Sequence, residues 1–121
     1  MGKLKVQIRE NSLLARVAAL KMGYDSVAIV FGKTIHLHNT SKADFFAKPT
    51  WVFHEFKHLE QYQQLGLFRF LIQYLREFRK NGYYDNAFEV EARAAEGHPE
   101  IMESFDLSAY QQFVQKDFGK S

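Results

Sequence analysis

The chain has no cysteine, only two prolines, a single tryptophan and a net charge of just +2. The missing cysteine excludes disulfides, thiolate metal sites and a cysteine nucleophile, so any metal must be held by His, Asp or Glu. So small a charge gives no general argument for a nucleic-acid partner. Long hydrophobic runs are missing too. The most apolar stretch, LGLFRFLIQYL, contains Arg69 and is much too short to span a bilayer. The opening MGKLKVQIRE is basic but lacks the apolar run of a signal peptide. The expectation is a cytoplasmic protein with neither nucleic acid nor membrane as a partner.

Aromatic residues, by contrast, are abundant at 16%, with twelve Phe and six Tyr. With 46% apolar and 25% charged residues, the composition is that of a globular protein. A length of 121 residues suits a single domain, 1–121, with one core.

Periodicity along the chain predicts an α+β fold. KLKVQIR alternates polar and apolar residues, which reads as a strand over Lys3 to Arg9. NSLLARVAALKMG reads as a helix capped by Asn11 or Ser12, with Leu13, Leu14, Val17, Leu20 and Lys21 as its stripe and Gly23 as its stop. SVAIVF and TIHLHN are β-rich and separated by Gly32 and Lys33, a hairpin signal. NTSKADFFAKPT reads as a polar connection. Helices follow: one from Pro49 to Gly66, one over LFRFLIQYLREFRKN to Gly82, one from Asn86 to Gly97, and one over DLSAYQQFVQKDF opened by Asp106 or Ser108.

The chemistry is concentrated in FHEFKHLEQY. His54 and His58 are four apart, so on a helix their imidazoles share a face and can reach one ion, with Glu55 beside them. This is the H-E-x-x-H arrangement: two metal ligands and a carboxylate able to take a proton from an attacking water. A catalytic zinc needs a third protein ligand. NAFEVEARAAE offers Glu89, Glu91 and Glu96, of which Glu89 and Glu96 share a helix face.

H-E-x-x-H followed by a helix carrying E-x-x-A resembles the gluzincin class of zinc metallopeptidases. The pattern falls on Glu89 and Ala92, which implies Glu89 as third ligand, with Glu91 in reserve, and Ala92 as the small residue that lets the helices approach. Val52 to Gly66, followed by FLIQYL and NGYYDNAFEVEARAAE, is similar to metallopeptidases of the extracellular contractile injection system core-domain type. Those pair an aliphatic hairpin with a helix of the form HELxHxxQ, and Gln61 stands at its last position. The resemblance implies a minimal zincin-like domain, a small antiparallel sheet packed on an active-site helix. Zn²⁺ would be held by His54, His58 and Glu89, and Glu55 would act as general base in hydrolysing a peptide or protein substrate. The alternative is a zinc-binding domain that is not catalytic. Lys57, Glu60 and Arg93 depart from the usual pattern; Arg93 stands where an acid would orient a metal-bound His, leaving Asp85 or Glu96 for that task.

Other features carry less. His36 and His38 read as strand residues before they read as a metal pair, and the TIHLHN strand is a candidate sheet edge for an extended peptide. Tyr83, Tyr84, Arg93 and His98 are candidate donors to an oxyanion. Phe68, Leu71, Ile72, Leu75 and Phe78 have the spacing of a core stripe, but Leu67, Phe70 and Tyr74 widen it. Helix 67–80 is therefore buried on two sides or meets a protein partner. Arg69, Arg76, Arg79 and Lys80 raise a nucleic-acid or anionic-membrane reading, which the interrupting Glu77 weighs against.

Overall fold

A computed structural model describes residues 3–114. The chain is a mixed α and β fold, with short strands β1 (Leu4–Lys5), β2 (Gln7–Arg9), β3 (Val27–Phe31) and β4 (Thr34–His38). Its helices are α1 (Leu13–Met22), α2 (Lys42–Phe46), α3 (Pro49–Leu65), α4 (Leu67–Asn81) and α5 (Ala87–Ala94), and the strand β5 (Phe105–Asp106) follows. The expected strand over Lys3 to Arg9 is two strands: β1 pairs with β5, the chain turns at the buried Val6, and β2 pairs with β4.

The hairpin forms as its turn chemistry requires, with Gly32 at φ 65° supplying the left-handed backbone that a two-residue turn needs. The sheet is not purely antiparallel. Its order is β2-β4-β3, with β4 antiparallel to β3 but parallel to β2. The TIHLHN strand is therefore central, because β2 docks on its far side, and β2 and β3 are the two edge strands of this sheet among the described residues. His36 is committed to structure. Its Nδ1 lies 2.8 Å from the Oγ of Ser12, the residue that caps α1, and burial followed by the charge of Arg9 lowers its pKa.

Helix α3 is the centre of the molecule. It buries Val52, Phe53, Phe56 and Leu59 against the sheet and the C-terminal turns, and Phe56 meets the ring of Phe105 at 4.9 Å. Pro49 at its first turn donates no N–H, so none is left unpaired there. Gly66, at φ 84° and ψ 159°, holds a backbone shape that side chains resist and breaks α3 from α4 without a loop. The expected polar connection contains α2, capped by Ser41 accepting from the Asp44 N–H, which buries Phe45 and Phe46 completely. The expected last helix is reduced to a 3-10 turn at Ser108–Tyr110, and from Gln115 onward it lies outside the described residues.

Two apolar stripes face outward rather than into the core. Helix α1 packs its small residues Ala15 and Ala19 on the sheet and turns Leu13, Val17 and Leu20 to solvent. Helix α4 turns Phe70 inward, where its ring packs at a tilt on Tyr62 at 4.0 Å and Phe88 at 5.0 Å, so Phe68, Ile72, Leu75 and Phe78 are exposed. A helix apolar around most of its circumference can rotate either face inward. Here the aromatic contacts of Phe70 and Tyr74 decide.

Phe56 is completely buried near the middle of α3. Phe56→Ala is expected to lower stability by about 3–5 kcal/mol, through lost burial and the cavity left behind. Denaturant unfolding checks it, and a loss under about 1 kcal/mol would contradict a core centred on α3.

Candidate metal centre

On α3, one turn brings His54 and His58 to the same face, their rings 5.1 Å apart and inclined by 74°. Helix α5 crosses that face. Its Asn86 cap, fully buried, accepts from the Phe88 N–H and donates to the Tyr74 carbonyl, so the start of α5 is fixed to α4 as well. Ala92 is completely buried on the side where α5 approaches α3. The result places Glu89 opposite the two histidines.

Glu89 Oε1 lies 3.1 Å from His54 Nε2 and 3.2 Å from His58 Nε2. One ligand atom from each of these three residues lies within 4.8 Å of the others. The edge of a tetrahedron with zinc-like bonds of 2.0–2.1 Å is about 3.3 Å, so the two contacts have the spacing of ligands around a common ion.

The other ring nitrogens fix how the histidines point. Gln61 donates through its Nε2 to the Phe88 carbonyl and to Glu91, so its Oε1 faces His58 Nδ1 at 2.8 Å and accepts the proton there. Glu96 Oε2 accepts from His54 Nδ1 at 2.8 Å. Both imidazoles thus carry Nδ1–H and turn Nε2 toward Glu89, the orientation from which Nε2, on giving up its proton, could bind a metal. Tyr74 donates to the other oxygen of Glu89 at 2.7 Å. The donor set of two imidazoles and one carboxylate fits a divalent cation.

The electrostatics agree. Burial alone would raise the pKa of Glu89, but hydrogen bonds from His54, His58 and Tyr74 and the charge of His58 hold it well below the usual carboxylate range. Burial alone would lower His54 and His58; Glu89 and Glu55 together with Glu96 and Gln61 outweigh it, and His54 reaches about 9. Glu55 goes the other way. Burial, offset in part by His58 and His54, pushes it up to about 7, where a carboxyl can both take and return a proton.

The remaining candidates separate cleanly. Glu91 is a partner of Gln61 and lies 4.0 Å from Lys57, which pairs with Glu60, so Glu91 is turned away from the histidines. Tyr84 stacks under the Arg93 guanidinium at 3.9 Å and accepts on its carbonyl from it, which takes both out of the cleft. His98 is exposed and bonded to Glu100. Tyr83 remains, lining the clefts on both sides of the site. Tyr74 went unsuspected as a site residue, because a tyrosine in an aromatic helix carries no spacing signal.

An apolar cleft of about 430 Å³ lies over His54, Glu55, His58 and Glu89. Its walls are β3, Leu14 and Met22 of α1, and Leu71 and Phe78 of α4. A second, more open cleft of about 400 Å³ shares His54, Glu55 and Tyr83 and continues past Thr50, Trp51 and Glu96. All five residues of β3 in succession line the first cleft. Neighbouring strand residues point to opposite faces, so this requires the backbone edge itself to look into the cleft. His36 and His38 line neither cleft.

Compared with protein-family models, curated proteins and solved structures, the chain matches none.

The orienting role of Gln61 is open to a direct check. Gln61→Leu is expected to weaken affinity for a divalent metal by about 10–100-fold, read by competition with a chromogenic chelator. Affinity equal to wild type would show that His58 is held by packing alone.

Proposed function

We propose that the chain is a zincin-like metallopeptidase in which Zn²⁺ is held by His54, His58 and Glu89. The observation that carries this reading is the convergence of both Nε2 atoms on one oxygen of Glu89, with both Nδ1 atoms already bonded elsewhere. Two imidazoles and a carboxylate favour zinc over harder ions, and three protein ligands leave a fourth position for water. Zinc bound there would supply Lewis acidity, making water a nucleophile near neutral pH and polarising a carbonyl.

The chain's own residues supply the rest. Glu55, buried and facing the cleft, takes the proton from the attacking water and returns it to the leaving amine. Tyr83, with its O–H kept protonated by burial and by the charges of Glu89 and Glu55, is the donor for the developing oxyanion. The free edge of β3 offers backbone N–H and C=O groups to an extended peptide lying through the two clefts. Leu14, Met22, Leu71 and Phe78 favour apolar substrate side chains on one side of the scissile bond.

One observation favours a second reading, a non-catalytic zinc domain. Glu89 contacts side chains from α3 and α4 while sitting on α5, so a metal there would also lock three helices together. Glu55 separates the two. Loaded with zinc and incubated with an unfolded protein, the wild-type chain is expected to cleave it, and Glu55→Gln to lose about 10²–10⁴-fold in rate at unchanged zinc content. Absence of cleavage by the zinc-loaded wild type leaves the structural reading in place.

A further inference from the structure

The two outward stripes belong to one surface. Leu13 and Leu20 of α1 are 74% and 76% exposed, and Phe68, Ile72 and Leu75 of α4 are 78%, 58% and 60% exposed. Between them, Leu14 and Met22 on one helix and Leu71 and Phe78 on the other line the apolar cleft. The large apolar side chains therefore continue from α1 across the cleft mouth to α4. Single exposed leucines need no explanation, but an apolar surface of this continuity marks something that covers it.

Charge indicates what that is. Arg16 and Lys21 stand on α1, and Arg69, Arg76, Arg79 and Lys80 on α4, against the single acid Glu77. Glu77 is itself occupied, accepting from Asn81 and from the Ala87 N–H. Six cations and one carboxylate on two helices contrast with +2 for the whole chain, so the rest of the molecule is net acidic. On α4 the arginines Arg69 and Arg76 and Lys80 occupy one side of the helix, next to the exposed arc of Phe68, Ile72 and Leu75. Apolar residues on one face, flanked by long basic side chains whose stems can lie along apolar surface, are the pattern of a helix seated at a lipid interface. No helix among the described residues is long and apolar enough to cross a membrane, and lying on one requires no such helix.

We propose that α1 and α4 form a docking face for an anionic lipid surface, with the cleft mouth held against the bilayer. A second copy of the chain is disfavoured as the occupant, because it would bring the same cations to the same place. A flat anionic sheet meets both convex helices at once, on either side of the cleft, while the basic side chains reach its phosphates. Such docking runs against the expectation of no membrane partner, which rested on the small net charge and on Glu77 interrupting the basic run of α4. The docking face stands whether or not the cleft hydrolyses peptides.

Co-sedimentation with vesicles tests it on the full chain. Vesicles of equal parts phosphatidylcholine and phosphatidylglycerol are expected to carry the chain down at low salt and release it at high salt. Pure phosphatidylcholine vesicles are expected to carry little. Phe68→Ser combined with Ile72→Ser and Leu75→Ser should abolish sedimentation, and Arg76→Glu with Lys80→Glu should weaken it at least about tenfold. All five side chains are exposed, so the melting temperature of both variants should match wild type and a folding defect is visible if present. Failure to bind anionic vesicles would overturn the proposal, as would equal binding to pure phosphatidylcholine or undiminished binding by the triple variant. Self-association lost in the triple variant would assign the face to a second copy. Binding to polyglutamate but to no vesicle would assign it to an acidic protein, and either outcome overturns a lipid surface.

Discussion

A carboxylate buried between two imidazoles is costly unless each of its oxygens is matched, and the site is organised around meeting that demand at Glu89. One oxygen faces both Nε2 atoms and the other accepts from Tyr74. These contacts hold only if α5 crosses α3 at the histidines and α4 folds back far enough to present Tyr74. Several otherwise unrelated features follow from that geometry. Gly66 permits the abrupt change of direction, the buried Asn86 bonds α5 to α4, and Ala92 allows the close approach. The outward stripe on α4 follows too, since turning Tyr74 and Phe70 inward turns Phe68, Ile72 and Leu75 out.

The clefts give the site its reach. Among the described strands none pairs with the outer edge of β3, whose inner edge is bonded to β4. Glu55, His54 and Tyr83 stand where an apolar cleft and a more polar one join, so the residues to which we assign proton transfer and oxyanion binding lie along a path rather than at its end. That arrangement suits a chain passing through better than a small molecule held in a closed pocket.

Much of the site was legible because its signals are local. Four-residue spacing places His54 and His58 on one helix face, and the seven-residue spacing of Glu89 and Glu96 sets both toward His54 while Glu91 turns to Gln61 and Lys57. The hairpin at Gly32 and the cap at Asn86 were legible for the same reason. The parallel pairing of β2 with β4 was not, because it joins segments distant in sequence and leaves no periodic mark on either. Nor was the inward face of α4, where apolar residues nearly encircle the helix and only the packing of Phe70 chooses. Helix α2 was missed although Ser41 and Asp44 have the spacing of an N-terminal cap, because Asn39, Thr40 and Pro49 around them read as a loop.

The central claim is that Glu89 completes a three-ligand metal site with His54 and His58. Elemental analysis of protein purified without an affinity metal, comparing wild type with Glu89→Ala, tests it most directly. Near-stoichiometric zinc in wild type that falls sharply in the variant is the predicted result. Zinc retained by Glu89→Ala, or no zinc taken up by either protein when it is offered, would contradict it.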